Sequence, residues 1–308
     1  MGLLVTGSIG IDDVVTPHGA ARHVIGGSAL YFAWAAANFS DVRLVGVVGQ
    51  DFPRELESVF DHPRINTAGL ERRAGSKTFR WAGTYDPTMN EATTTQVDLN
   101  VLGEAGPKVP TAFADSRIVF LAATHPGLQE QLLAQIKSPE LVVADTRDLW
   151  IRQFHKELID ALKHFDGLVL NDGEARLLTN QMNLVEAIGL LQRLLRPAGP
   201  RMVIIKKGEH GCLAGWGEEI FAMPAFPARR VIDPTGAGDS FAGGLLGYLN
   251  GQKQLTVDAL KNAVIAGTVM ASFTIEEFSL AGLRAATPEK AGGRIAAYKK
   301  MIAIAPAA

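Results

Sequence analysis

Short apolar runs alternate with amphipathic helical windows along most of this 308-residue chain. The apolar runs show little alternation, which is typical of parallel strands that are buried on both faces of a sheet. Strand and helix in such alternation predict a doubly wound α/β fold. The predicted strands are 3–6, 44–48, 118–121, 141–144, 167–170 and 202–206, and the predicted helices are 29–38, 126–136, 151–164, 174–179, 183–195 and 258–272.

One region does not follow this order. Segments 78–85 and 93–99 alternate with period two, and a turn at Asp86-Pro87 lies between them. This pattern predicts an antiparallel hairpin with one exposed face, for which residues 13–15 and Val24 offer further strand partners. The hairpin either covers a ligand, as insertions in α/β cores often do, or has no role at the site.

Composition narrows the class of protein. Apolar residues make up 47% and charged residues 20% of the chain, which is ordinary for a globular protein with a full core. The net charge of −2 predicts no surface for nucleic acid or anionic lipid. The single cysteine, Cys212, excludes an internal disulfide. No run reaches the ~18 apolar residues of a membrane span and no secretory signal is recognised, so we expect a cytoplasmic protein.

The run from residue 233 to residue 246, Asp-Pro-Thr-Gly-Ala-Gly-Asp-Ser-Phe-Ala-Gly-Gly-Leu-Leu, carries the strongest functional signal. Gly236, Ala237 and Gly238 have little or no side chain, so their N–H groups can approach an anion closely. A helix that begins near Asp239 adds unpaired N–H donors and a positive dipole end. An anion cradle beside a carboxylate base suits phosphoryl transfer to an alcohol, whereas the alternative is a glycine turn with a capping Asp.

This run resembles the C-terminal signature of the ribokinase-like, or PfkB, family of carbohydrate and nucleoside kinases, and it matches that signature at every position. The resemblance implies a three-layer α/β/α core with a mostly parallel sheet and a small antiparallel β lid. It implies one ribokinase-like domain over residues 1–308, with the lid formed by about 12–25 and 77–100. It also implies ATP and Mg²⁺ as cofactors, Asp239 as the catalytic base, and the amides of residues 236–239 as the anion hole.

Two further segments match motifs of the family on the nucleotide side. Asn171 and Glu174 follow the apolar run 168–170, at the strand end where ligands gather in open α/β sheets. They match its Asn-x-x-Glu motif, which implies that they organise Mg²⁺ and its waters, although the same spacing describes a capping box. Lys207 and Gly208 match a glycine-containing turn that implies a contact with the ATP phosphates, and the alternative for Lys207 is an exposed surface lysine.

The resemblance also implies an acceptor site near the N-terminus. Asp12 matches an acidic residue that binds two hydroxyls of the acceptor, and its alternative is a turn-capping role. Gly26 and Gly27 match a Gly-Gly motif against which the substrate lies. Tyr31 stands where the family usually has an Asn that contacts the acceptor. Asp233 lies where family members bind a monovalent cation such as K⁺.

The sequence departs from the family's pattern in two places, of which the second is a motif that many sugar-specific members carry. Tyr31 replaces the expected Asn, and the run 145–147 lacks the Asn of an Asp-x-Asn-x-Arg motif and shifts its Arg. These departures leave the kinase prediction in place and put the identity of the acceptor in doubt. Five aromatic residues also fall in or beside the predicted substrate mouth, where they would suit a nucleobase, or they belong to the core: Tyr31, Trp34, Phe79, Trp81 and Tyr85.

The sequence therefore predicts an ATP-dependent kinase that phosphorylates a hydroxymethyl group of a sugar. The alternative is a nucleoside kinase of the adenosine-kinase type on the same fold, and a third option is a non-catalytic ligand sensor. The expected partners are a small sugar or nucleoside and ATP, without nucleic acid or membrane. A homodimer that pairs through the lid is a further option.

Overall fold

The computed structural model describes residues 2–90 and 92–303, and within them the chain forms thirteen strands and ten α-helices. The strands are β1 Leu3–Thr6, β2 Gly10–Thr16, β3 Gly19–Gly26, β4 Val42–Gly49, β5 Ile65–Arg73, β6 Phe79–Tyr85, β7 Ala92–Asp98, β8 Ile118–Leu121, β9 Leu141–Asp145, β10 Gly167–Asn171, β11 Met202–Lys206, β12 Cys212–Trp216 and β13 Glu219–Met223. The α-helices are α1 Ser28–Ala36, α2 Pro126–Leu133, α3 Asp148–Gln153, α4 His155–Leu162, α5 Asp172–Thr179, α6 Leu184–Leu194, α7 Ala237–Asn250, α8 Val257–Thr274, α9 Ala281–Ala285 and α10 Pro288–Ile302.

Nine strands form the central sheet, in the order β13-β12-β11-β10-β9-β8-β1-β4-β5. Neighbouring strands are parallel except at β12, which runs antiparallel to β11 and to β13. Parallel neighbours need crossover connections, and here helices supply most of them. The doubly wound, mostly parallel fold predicted from the apolar runs is confirmed.

A hydrophobic core lies on each face of this sheet. Leu3 and Val5 of β1 point into one core, with α1, α7 and α8, while Leu4 points into the other, with α4 and α6. Because successive strand residues alternate between two buried faces, the strand is apolar at every position. The three layers expected from the family resemblance follow from this arrangement.

A second, four-stranded sheet has the order β3-β2-β6-β7, and we call it the lid. Its β6–β7 and β2–β3 pairs are antiparallel, and β2 joins β6 in parallel. The predicted hairpin and its partner strands are therefore confirmed. The predicted lid limits, about 12–25 and 77–100, include Glu91, which lies outside the described residues, and these limits and the single domain over 1–308 stay predictions.

Several elements differ from the sequence-based expectation. The predicted helix 151–164 is two helices, α3 and α4, because Phe154 leaves the helical conformation with φ −128° and ψ 36°. The sequence pattern did not indicate β5 or β13, which are edge strands with exposed positions and lack a continuous apolar run. Within the described residues, no helix is both long and apolar enough to cross a membrane.

Candidate active site

The loop at the start of α7, residues 236–239, is the centre of the site, and we call it the anion loop. Gly236 caps α7 in the left-handed conformation (φ 75°), and a Cβ atom there would collide with the ring of Tyr31. Only glycine meets both demands without strain. The N–H of Ala237 donates to the carbonyl of Pro234 at 3.1 Å. The N–H of Gly238 has no acceptor among the described residues and is free for an anion, whereas the N–H of Asp239 contacts its own carboxylate.

Asp239 lies in the first turn of α7 and is half-buried. Burial raises the pKa of its carboxyl to about 7, and the negative charge of Asp145 adds to this shift, while Lys206 and Arg147 oppose it. A carboxyl group with a pKa near neutrality is a better proton acceptor than an ordinary Asp, because its basicity is matched to the working pH.

Lys206, at the end of β11, is the half-buried cation of the site. Its Nζ lies 3.6 Å from Oδ2 of Asp145, and a Cβ atom on Gly238 would lie 2.7 Å from the same nitrogen. Burial alone would lower the pKa of Lys206, but the carboxylates of Asp145, Glu174 and Asp239 outweigh it and raise the pKa. A permanent positive charge therefore lies against the anion loop.

Asn171 and Glu174 form the capping box that the spacing allows. Oδ1 of Asn171 accepts the N–H of Glu174 at 2.7 Å, and Oε2 of Glu174 accepts the N–H of Asn171 at 2.8 Å. Burial and the charge of Asp145 raise the pKa of Glu174 to about 7. The cap holds Glu174 at the start of α5, where the charge of Asp145 at the end of β9 acts on it.

The carboxylates of Asp145 and Glu174 are candidate ligands for the Mg²⁺ ion that the family resemblance implies. Among the described residues, no three metal-binding side chains come together, so an all-protein metal cage is absent there. Mg²⁺ commonly uses one or two carboxylates and completes its shell with water and phosphate oxygens. Asp145 and Glu174 fit that pattern, and the repulsion that raises the pKa of Glu174 is what a cation would relieve.

Lys207 and Gly208, predicted to contact ATP, are placed differently from each other. The N–H of Lys207 donates to the carbonyl of Gly211 at 2.7 Å, and its charge acts on the thiol of Cys212. The contacts of Lys207 therefore do not bring it to Asp239, whereas those of Lys206 do. Gly208 has a φ of 54°, and a Cβ atom there would lie 3.4 Å from Oδ1 of Asn90 in the lid loop.

Lys206 and Asp145 are candidate site residues that the sequence analysis did not single out. Met202 and Ile204 of β11 point into the core that contains α7, and Lys206 continues the same alternation. The period of two was therefore a usable signal for choosing Lys206 over its neighbour. Asp145 was noted only within a motif that the sequence fails to complete.

Asp12, in β2, is almost fully buried, with 4% of its surface exposed. Its Oδ1 has no hydrogen-bond partner among the described residues. Burial raises the pKa of Asp12 to about 8, and the charges of Asp233, Asp13 and Asp239 add to the shift. Because an unpaired buried carboxylate is costly, this group is prepared to accept hydroxyl donors from a ligand.

The Gly-Gly pair makes room for this carboxylate and for the start of α1. A Cβ atom on Gly26 would collide with the carboxylate of Asp12. Gly27 has a φ of 100°, and a Cβ atom there would collide with the carbonyl of Ser8. The two motifs that were singled out separately in the sequence thus depend on each other in the structure.

Tyr31 and Asp233 are buried residues that contact the anion loop and the residue that precedes it. Tyr31, in α1, is buried with its ring against Gly236, and burial raises the pKa of its hydroxyl far above the usual value. Asp233 is also buried, and its two carboxylate oxygens accept the N–H groups of Thr235 at 2.9 Å and Ser279 at 3.2 Å. Asp233 therefore ties the anion loop to the segment that follows α8.

The lid lies directly over the anion loop. The hydroxyl of Thr235 donates to the hydroxyl of Tyr85, at the end of β6, at 3.2 Å. Trp34, another of the aromatic residues predicted to lie near the substrate entry, packs against the core instead. Its Nε1 donates to the carbonyl of Val59, and the guanidinium of Arg284 lies over its ring. Phe79 is buried against Gly10, in the floor of the lid.

Comparison with known proteins agrees with this geometry. Residues 6–284 match the pfkB family of carbohydrate kinases. The chain belongs to this family. The resemblance found in the sequence is confirmed, and this PfkB protein is an ATP-dependent kinase with an alcohol group as acceptor.

Individual relatives add detail. A cytidine kinase from Thermococcus kodakarensis is 29% identical over 264 residues, which cover 82% of this chain and 90% of that protein. A nucleoside kinase from Burkholderia thailandensis, solved with inosine, has a TM-score of 0.74 at 20% identity and covers 99% of this chain and 100% of that one. An aminoimidazole riboside kinase from Salmonella enterica, solved with its riboside and an ATP analogue, has a TM-score of 0.74 at 18% identity, over 96% and 100% of the two chains. At these identities, the solved structures are evidence of a shared fold.

Proposed function

We propose that this PfkB kinase transfers the terminal phosphoryl group of ATP to the hydroxymethyl group of a sugar, which is either free or part of a nucleoside. The observation that carries the proposal is Asp239. Its carboxyl has a pKa raised to about 7, and it lies in the first turn of α7, next to the unpaired N–H of Gly238. A base and an anion site are thereby held at one point, as direct transfer between two oxygens requires.

Each residue of the site has a distinct task in the proposed reaction. Asp12 accepts hydrogen bonds from hydroxyls of the acceptor and orients its hydroxymethyl group towards Asp239. Asp239 takes the hydroxyl proton as the acceptor oxygen bonds to phosphorus and the bond from phosphorus to the ADP oxygen breaks. The N–H groups of Gly238 and Asp239, together with the ammonium of Lys206, stabilise the negative charge of the phosphoryl group in transit.

Mg²⁺ is part of this proposal. Asp145 and Glu174 would hold it, directly or through water, and Asn171 would position Glu174 through the capping box. When bound, Mg²⁺ would neutralise charge on the phosphates of ATP. Gly208 would leave space for the nucleotide beside the lid loop, while Lys207 would be at most a peripheral contact.

Two further proposals concern Asp233 and the lid. Each oxygen of Asp233 accepts one N–H, which leaves lone pairs for a monovalent cation such as K⁺. Equal initial rates in potassium and tetramethylammonium chloride would exclude that role.

A homodimer through the outer face of the lid would have to use a surface that bears Arg22 and Asp13, and light scattering would measure the mass in solution.

The function is tested by ADP release from MgATP across pentoses, hexoses, sugar phosphates and nucleosides. We expect turnover with one class of acceptor, and we expect Asp239→Asn to lower kcat by more than about a hundredfold with little loss of ATP binding. Asp258→Asn is the matched control, because Asp258 also lies in the first turn of a helix but is exposed. Near-normal turnover by Asp239→Asn would refute the assignment of the base. If folded protein released no ADP with any acceptor of the panel, the ligand-sensor alternative would be favoured.

The choice between a free sugar and a nucleoside has support on both sides. The family is one of carbohydrate kinases, whereas one relative that matches over 90% of its own length is a cytidine kinase. Tyr31 adds a structural point, because its ring supports Gly236 where an Asn of the family would meet the acceptor.

A further inference from the structure

The indole of Trp81 lies flat on the lid. Trp81 is in β6, and a Cβ atom on Gly83, two residues later, would collide with the six-membered ring of the indole. The Nε1 of Trp81 donates to Oγ1 of Thr94 on the neighbouring β7 at 3.1 Å. One ring face is therefore seated on a glycine, and the polar edge of the ring is anchored, which fixes the plane of the indole.

The face of the lid that carries Trp81 is the face that covers the active site. Trp81 is the register partner of Asp12 in the parallel β2–β6 pair, and partners in a ladder point to the same side. Tyr85, four residues further along β6, shares that side and reaches Thr235 beside the anion loop. The carboxylate of Asp12 and the plane of Trp81 therefore stand next to each other above the site.

Trp81 is not explained by packing. It is only half-buried and joins neither of the two hydrophobic cores, and no aromatic or cationic side chain of the described residues stacks on it. Its register partner on β7, Val97, is 52% exposed on the same side. Trp34 is the opposite case, since it packs against the core and carries Arg284 on its ring. The lid thus presents an unused apolar plane towards the site.

We propose that Trp81 is a stacking platform for the base of a nucleoside acceptor. The inference rests on the proposed phosphoryl transfer and names the substrate class of that same site. Adjacent strands lie only about 4.8 Å apart, so a ribose whose hydroxyls bind Asp12 carries its base over the neighbouring strand. A planar base matches an indole fixed in one orientation, and a free pentose has no group that reaches it.

The role is tested with four variants and three acceptors. Trp81→Ala removes the platform, Trp81→Phe keeps an aromatic ring, and Gly83→Ala keeps the indole but displaces it. Thr84→Ala is the matched control, on the same strand but with the side chain on the opposite face. Cytidine, inosine and ribose are compared by KM and kcat from ADP release, and the Kd of cytidine is measured by calorimetry, which does not depend on turnover.

We expect Trp81→Ala to raise the KM and Kd for cytidine and inosine by about 5- to 150-fold, the range that corresponds to one base stacked on an aromatic ring. The kcat and the KM values for ATP and ribose should stay close to wild type. Gly83→Ala should raise the nucleoside KM in the same direction, Trp81→Phe should restore most of the affinity, and Thr84→Ala should change nothing. A merely structural role would lower the melting temperature without this selectivity.

Three results would overturn the inference. The first is an unchanged KM and Kd for both nucleosides in folded Trp81→Ala and Gly83→Ala. The second is an equal loss of affinity for ribose, which would place the sugar on the indole. The third is wild-type protein that binds ribose but neither nucleoside. Failure of the kinase proposal looks different, since cytidine would then bind with a Kd that depends on Trp81 while no acceptor releases ADP.

Discussion

The substitution Asp12→Asn is expected to stabilise the unliganded protein at neutral and alkaline pH while it impairs use of the acceptor. Burial raises the pKa of Asp12 to about 8 from its ordinary value of 3.8, and Oδ1 lacks a partner among the described residues. Between these two values, the folded chain keeps a proton on Asp12 that the unfolded chain has released. The free energy of unfolding therefore falls as pH rises through that window.

The magnitude follows from one proton. This group lowers the free energy of unfolding by about 1.4 kcal/mol for each pH unit between roughly pH 4 and pH 8, and the loss levels off above that. Asn has no proton to exchange, so the variant lacks this slope. From pH 6 to pH 8 the variant should gain about 2 kcal/mol relative to wild type, which is roughly 4 °C in Tm for a chain of this size.

Thermal melting from about pH 5 to pH 9 without ligand measures the effect. Asp258→Asn is the control, because Asp258 is exposed in the first turn of α8 and its charge is not among those that shift the pKa of Asp12. Parallel curves of Tm against pH for wild type and Asp12→Asn would refute a raised pKa at Asp12. The same variant should raise the KM for the acceptor, because it replaces one hydroxyl-binding oxygen with an NH2 donor. The KM for ATP should stay unchanged, because the nucleotide site is intact.

Two further predictions concern residues that support the anion loop. Lys206→Met should lower kcat by about a hundredfold, because the variant loses the positive charge beside the anion loop. It should also move the acidic limb of the kcat/KM profile to higher pH, because the charge of Lys206 lowers the pKa of Asp239. The dependence of kcat/KM on pH measures this shift, and an acidic limb at the wild-type pH would contradict the prediction. Tyr31→Asn restores the residue that the family usually has. It should nevertheless lower the free energy of unfolding, measured by urea denaturation, by about 3 kcal/mol and reduce kcat, because Gly236 loses the ring that supports it. A variant with unchanged stability and a lower KM for sugars would show that Tyr31 is not a packing residue.

The sequence predicted the core strands well for a simple physical reason. In β1, Leu3 and Leu4 point to opposite sides of the sheet, and both sides are buried, so the run is apolar at every position. Edge strands such as β5 have no such constraint, and the pattern there gave no signal. The break at Phe154 was also missed, because the apolar periodicity continues across it from α3 to α4.

The candidate site was predictable where function depends on the local backbone. A glycine turn that opens a helix places Asp239 by chain connectivity alone, and the capping box of Asn171 and Glu174 is equally local. The site lysine was not predictable in the same way. Lys206 and Lys207 are chemically identical neighbours, and only the contacts of β11 with the anion loop distinguish them.

The sequence by itself determined the α/β class and the kinase family, and it predicted the base and its anion loop, because all of these depend on periodicity and on short contiguous motifs. The tertiary structure decided which distant groups meet: Asp12 with Gly26, Tyr31 with Gly236, and the lid with the anion loop. It also decided the protonation behaviour of the site. A raised pKa needs burial and neighbouring charge at once, and both arise only when strands that are far apart in sequence end at the same edge of a sheet.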